Sequence, residues 1–218
     1  MKKFELTTEF ITNFLGTKLF RIKALVEFGK VEKGELGGFV EKEENLDHDG
    51  DAWVSGDARV SGDARVSGNA WVYGNAEVSG DARVSGDARV SGDAEVSGDA
   101  RVSGDARVYG DAEVSGDAWV YGNAWVSGDA RVSGDARVSG DQMYATVKGF
   151  GSEYRNTTFF ITKDGNVCVN CGCFSGTLEQ FREKVEETHK DTKYAKEYLM
   201  IADLMEMHFK EELEKIKK

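Results

Sequence analysis

This 218-residue chain contains no proline. Its turns must be made by Gly, Asp, Asn and Ser, residues that reach positive φ or bond their own backbone, and 26 glycines are at hand. Cysteine is confined to Cys168, Cys171 and Cys173, an odd number within six residues that does not read as a disulfide framework. No apolar run approaches the roughly eighteen residues of a membrane span. Met1-Lys2-Lys3 is followed at once by Phe4-Glu5, with no apolar segment of the kind a signal peptide carries. A basic excess is missing as well: 28 Lys+Arg stand against 39 Asp+Glu, for a net charge of −11, which argues against nucleic-acid binding. Apolar residues at 40% argue against disorder. The expectation is a soluble, cytoplasmic protein with neither membrane nor nucleic acid as partner.

What is present is a repeat. Residues 51–140 are fifteen hexapeptides of consensus D-A-R-V-S-G without an insertion. Valine recurs at every sixth residue from Val54 to Val138, alanine from Ala52 to Ala136 and glycine from Gly56 to Gly140. Within A-x-V-S the side chains alternate, so Ala and Val point to one side and the variable residue and Ser to the other. Gly followed by Asp or Asn then turns the chain. A strand and a corner every six residues closes after three sides, giving an eighteen-residue triangular coil with Val and Ala inside. Successive coils stack at about 4.8 Å through parallel hydrogen bonds, so five coils stand about 24 Å tall.

The pattern Val54-Ser55-Gly56-Asp57-Ala58-Arg59 resembles the hexapeptide-repeat family, which implies a left-handed parallel β-helix. The flanks resemble uncharacterised hexapeptide-repeat proteins of bacteriophages and prophages. On the N-terminal side the resemblance lies in Arg21-Ile22-Lys23-Ala24-Leu25, Gly34-Glu35-Leu36-Gly37-Gly38-Phe39-Val40-Glu41 and Asn45-Leu46. On the C-terminal side it lies in Gly172-Cys173-Phe174-Ser175-Gly176-Thr177-Leu178, Thr188-His189 and Tyr198. That group implies no established activity.

The expected organisation is a mainly β protein in three parts. Residues 1–45 read as a small β cap that covers the open end of the stack. Residues 46–143 read as the solenoid of about five coils, starting one hexad early because Leu46 falls in the Ala phase and His48 in the Val phase. Residues 144–218 read as a C-terminal α+β domain. Here residues 157–162 and 166–170 flank Asp164-Gly165, a two-residue hairpin signal. Thr177-Leu178-Glu179-Gln180 is a capping box with Leu178, Phe181 and Val185 on one helical face. A second helix begins near Asp191 or Thr192 and carries Tyr194, Tyr198, Ile201, Met205 and Phe209 at helical spacing, with residues 210–218 solvated or frayed.

Many hexapeptide-repeat proteins are acyltransferases, and the resemblance implies for them a histidine base, an intersubunit groove and loops extruded from the coils. The histidines here are His48, His189 and His208, none lies within the fifteen hexads, and no loop leaves the repeat. A shared scaffold does not transfer activity, so the expectation is no enzyme, no catalytic residue and no cofactor. His48 reads as a packing or capping residue. The C-x2-C-x-C of Cys168, Cys171 and Cys173 falls short of the four ligands of a structural zinc site unless His189 folds back to it; free thiols are the simpler reading. The row Asp63, Asp81, Asp99, Asp117 and Asp135 would stack one residue per coil, either as turn chemistry or as a ladder for cations.

The variable outward position carries the remaining information. Taken in eighteens it sorts into three faces. One reads Trp53, Trp71, Arg89, Arg107 and Trp125, beside a row containing Tyr73 and Tyr109. The second reads Arg59, Glu77, Glu95, Glu113 and Arg131. The third reads Arg65, Arg83, Arg101, Trp119 and Arg137, with Tyr121 beside Trp119. Aromatics on the first face suggest a buried contact, and Arg among them suits another chain or a planar anionic ligand. The expectation is a self-associating solenoid, with a trimer favoured by the resemblance. It would bind a host protein or a nucleotide-like ligand, against host defence in the phage setting. A spacer presenting the C-terminal domain is the alternative, and an acyltransferase with an intersubunit site the more distant one.

Overall fold

The computed structural model describes residues 2–216. Fifteen two-residue strands, from β4 (Trp53–Val54) to β18 (Arg137–Val138), recur once per hexad. They stack into three parallel sheets, five of these strands in each. Every third strand pairs in register, so Arg89 lies against Trp71 and Arg107, and Val90 against Val72 and Val108. Each inward Val and Ala of the repeat is fully buried. The chain is thus a β-solenoid with the expected eighteen-residue coil, and no loop leaves the repeat.

The ladder is wider than the strands. Ser55 N–H donates to Val72 O at 2.9 Å, Asp57 N–H to Gly74 O at 2.9 Å and Arg59 N–H to Ala76 O at 2.9 Å. Strands and corners alike therefore satisfy their backbone in the next coil. The corner glycine is required twice over. Gly92 has φ +75°, and a Cβ there would lie 2.9 Å from Gly110 N of the coil below. At two corners asparagines extend the ladder, Asn69 Nδ2 donating to Asp87 at 3.0 Å and Asn75 Nδ2 to Asp93 at 2.9 Å.

The N-terminal cap is an antiparallel meander of β1 (Phe4–Thr12), β2 (Lys18–Ala24) and β3 (Leu36–Val40). Its last strand is already part of the stack: Phe39 and Val40 pair in parallel with Arg59 and Val60. The boundary expected at residue 46 therefore falls inside a partial first coil. The phase assigned to Leu46 and His48 also needs correction. Leu46 bridges Val66 and is buried in the Val position, so two extra residues separate it from Val54, and His48 sits at the corner instead of inside. Two buried polar side chains close this end. Asn45 Nδ2 donates to Gly62 O at 3.0 Å and Ala64 O at 2.8 Å. Lys3 Nζ donates to Gly50 O at 3.2 Å and Ala52 O at 2.9 Å; burial lowers its pKa, opposed by Asp47, Asp51 and Asp49.

The other end is covered by an antiparallel sheet of β19 (Tyr144–Val147), β20 (Thr157–Ile161), β21 (Val167–Cys171) and β22 (Phe174–Thr177), with helices α1 (Leu178–His189) and α2 (Lys193–Ile216). Its polar side chains satisfy the last coil: Arg131 N–H donates to Thr158 Oγ1 at 2.9 Å, and Asn170 Nδ2 donates to Arg131 O at 2.9 Å. The β20–β21 hairpin forms where expected, but Thr162 N–H donates to Asn166 O, so its loop holds three residues, with Gly165 at φ +71°. The capping box is present: Gln180 N–H donates to Thr177 Oγ1 at 3.3 Å and Thr177 N–H to Gln180 Oε1 at 2.8 Å. Helix α2 buries Tyr198, Met205 and Phe209, while Tyr194 and Ile201 are half-buried. It continues as helix to Ile216, and residues 210–216 are mostly exposed, the solvated form of the expectation and not the frayed one; Lys217 and Lys218 lie outside the described residues. No helix among the described residues is long and apolar enough to cross a membrane.

Candidate binding faces

The three outward rows lie on three separate sheets as their spacing requires, and their side chains differ in what they touch. On the aromatic face Trp53 is not available at all. It is fully buried, with Phe28 edge-on at 5.4 Å between ring centroids and Gly37 packed against its ring. The expectation that it forms an exposed row with Trp71 and Trp125 is overturned, because the cap folds over the first coil. Its indole N–H has no hydrogen-bond partner.

The rest of that face divides in two. Below the cap, Gly29 and Lys30 overhang Trp71, Tyr73 and Arg89 to form an open cleft of about 620 Å³ that also meets Asp51 and Asp87. Trp71 is half-buried against the core, and Tyr73 is exposed. Further down, Arg107 lies over the Trp125 ring at 4.7 Å, and Tyr109 meets it edge-on at 6.3 Å. This is the intramolecular stacking expected of ladder neighbours, yet Trp125 and Tyr109 keep 43% and 39% of their surface exposed.

On the third face Trp119 and Tyr121 pack at 4.8 Å, and Trp119 Nε1 donates to Ser103 Oγ at 3.0 Å. Arg137 lies 6.0 Å from the Trp119 ring and donates to Asp117 O and Ala136 O. Arg65, Arg83 and Arg101 are exposed in consecutive rungs. Arg65 and Arg83 also line a groove of about 660 Å³ beside His48. On the second face Arg59 pairs with Glu77 at 2.6 Å and Arg131 with Glu113 at 3.1 Å.

Two of the three histidines are held in structural contacts. His48 stacks on Phe4 at 4.5 Å, accepts from Lys3 N–H at Nδ1 and meets Glu43 at 2.7 Å. His189 packs against Tyr198 at 5.6 Å, whereas His208 is exposed on α2, its ring 4.9 Å from that of its chain neighbour Phe209. The cysteines are free thiols. Thr157 Oγ1 donates to Cys171 Sγ at 3.1 Å, burial pushes the Cys168 thiol up, and Cys173 is exposed. Among the described residues no three His, Cys, Asp or Glu converge as metal ligands. Burial, with Cys171 beside it, pushes the Tyr198 phenol up from 10.0 to about 12. Between those values the unfolded chain has released a proton that the folded chain retains, so stability falls as pH rises through this window. A Tyr198→Phe variant should lose less stability than the wild type between pH 10 and 12 in denaturant titrations.

Two exposed apolar features escaped the sequence reading. Met200, Leu204 and Met207 form a stripe on α2 opposite its buried side; their i, i+4, i+7 spacing was a legible signal. Phe14 and Leu15 stand exposed at the tip of the β1–β2 hairpin, whose turn is held by Asn13 Oδ1 accepting from Leu15 N–H and Thr17 N–H.

The repeat matches the family described as the YdcK beta solenoid repeat, in overlapping copies that together span residues 52–122 and again residues 130–143. Over this part the chain is a repeat β-solenoid protein. No curated protein matches it.

Proposed function

We propose that this chain is a non-enzymatic β-solenoid scaffold that self-associates through flat faces and uses its aromatic face to bind a partner protein or a small anionic ligand. The observation that carries the reading is chemical sorting on a uniform frame. The interior is filled by Val and Ala alone, so coil stability does not call for Trp125, Tyr109 or Tyr73, which nevertheless stand exposed in neighbouring rows. Exposed aromatics beside Arg make good anchors for another chain or a planar anion. The structural engagement of His48 and His189 supports a role without acyl transfer. The phage-like flanks support a cytoplasmic role during infection, with a host protein or nucleotide-like signal as target. The exposed Met200, Leu204 and Met207 favour a second reading, in which the solenoid is a spacer that presents the C-terminal domain.

The test is a Trp71→Ser, Trp125→Ser double variant compared with the wild type by native mass spectrometry of protein taken from cells. The variant should keep its fold by circular dichroism and melt somewhat lower because Trp71 is half-buried. It should lose the partner or ligand that the wild type retains. A wild type that carries neither, or a folded variant that keeps what the wild type carries, overturns the reading.

A further inference from the structure

The second and third faces are charged oppositely and in the same rhythm. On the second, Glu77, Glu95 and Glu113 occupy three consecutive rungs. Arg59 and Arg131 close the two ends of that row by pairing with Glu77 and Glu113, which leaves Glu95 between two carboxylates with no cation of its own row. On the third, Arg65, Arg83 and Arg101 occupy three consecutive rungs, and among the described residues none of the three forms an ion pair. Like charges facing each other across a ladder are destabilising. The inward residues are the same on all three faces, so the hexad itself does not require either stack.

We infer that the acidic face of one copy seats on the basic face of the next, a head-to-tail contact that builds the self-association proposed above and rests on that reading. A second copy is the occupant because of spacing. Both rows ride on the same coil, so carboxylates and guanidiniums repeat at one interval, about 4.8 Å. Shifted by one rung, Glu77, Glu95 and Glu113 meet Arg65, Arg83 and Arg101 one to one. A partner without this rise would lose register within two or three rungs. The contact relieves both like-charge stacks at once and leaves the aromatic face free.

Its size sets its strength. Four extended residues across and five coils down give a face of roughly 13 by 24 Å, about 300 Å², below the roughly 800 Å² per partner of a standard interface. The acidic corner rows at the margins, with a net charge of −11 per copy, oppose approach at long range. A single contact is therefore weak and concentration-dependent. Each copy, however, offers one face of each kind, so a contact of this heterologous type propagates until it closes or continues as a chain.

Charge-swap complementation tests it. A Glu77→Lys, Glu95→Lys variant carries two cationic patches, and an Arg65→Glu, Arg83→Glu variant, changed at the residues that face those two, carries two anionic ones. By sedimentation velocity each alone should self-associate at least tenfold more weakly than the wild type. An equimolar mixture should regain wild-type association as an alternating heteromer, visible by native mass spectrometry when one variant is isotope-labelled. Should either double variant fail to fold, the single variants Glu95→Lys and Arg83→Glu replace it. Variants that associate like the wild type, or a mixture that regains nothing, overturn the pairing while self-association through another face stands. A wild type that stays monomeric across the concentration range overturns the self-association reading together with the inference.

Discussion

A Val96→Asp variant should fail to form the cooperative solenoid. Val96 lies in the third of five coils, fully buried and paired in register with Val78 and Val114. Its surroundings are the Val and Ala side chains of the interior, which offer a carboxylate neither donor nor cation. An unpaired charge in such a place costs several kcal/mol even after the structure relaxes, a large share of the roughly 5–15 kcal/mol by which domains are stable. Stacked repeats are coupled only to their neighbours, so damage at the centre cuts the stack into two short halves, each with an unprotected edge. Circular dichroism should show a broad, early melt in place of a single transition, and limited proteolysis should cut in the central coils. Val96→Ala, which removes only two methyl groups, should cost about 1.5–3 kcal/mol and keep the single transition. Equal melting of Val96→Asp and wild type at neutral pH would mean that the interior is not the dry valine column described.

Why the frame was so legible follows from the hexad itself. Ala58 and Val60 are small and apolar because they face the interior, Gly62 is glycine because the corner needs positive φ and close approach, and Asp63 follows because it tolerates the turn. Each of these positions answers a demand of the coil, and the demands repeat fifteen times. The ends carry no such redundancy. Between Leu46 and Val54 two extra residues shift the phase, and nothing local distinguishes this from a regular hexad in which Leu46 and His48 would also look acceptable. The three-residue loop at Gly165 replaces a two-residue one for a similar reason: Asp-Gly marks the turn, while Thr162 and Asn166, which set its length, only bond each other once the strands are paired.

The candidate site was legible in direction and not in exposure. Period-two alternation correctly sends Trp53, Trp71 and Trp125 outward from the coil. What lies outside is decided by the cap, whose placement depends on contacts far apart in sequence, such as Phe28 on Trp53 and Lys3 on the carbonyls of Gly50 and Ala52. One row of three identical residues thus divides into a buried anchor, a half-buried cleft floor and an exposed ring. Lys30 entered the cleft for the same reason: nothing in residues 25–35 shows which face of the stack their loop will overhang.

Trp53→Ala should therefore act as a stability mutation and leave intermolecular contacts unchanged. The indole is among the largest fully buried side chains of the chain, closed in by Phe28 and by Gly37, where an added Cβ would come within 2.7 Å of the ring. Its truncation removes the floor on which the Phe28 segment rests and opens a cavity between cap and first coil, at about 3–5 kcal/mol for a buried Trp or Phe. The loss should be concentrated at the N-terminal end. Amide exchange should quicken in β1–β3 and in the first coil while the central coils stay protected, since coupling falls off along the stack. Trp53→Phe separates ring packing from the indole N–H. It keeps an aromatic ring against Phe28 and removes a buried donor that has no partner, a group whose burial alone costs about 1–3 kcal/mol. The cavity left by the smaller ring and the relief of that donor oppose each other, so Trp53→Phe should melt much closer to the wild type than Trp53→Ala. Trp125→Ser, on the exposed ring of the same row, should shift the melt by far less than Trp53→Ala. The reverse pattern, with Trp53→Ala melting like the wild type but losing association, would return Trp53 to the open face and displace the cap from the first coil.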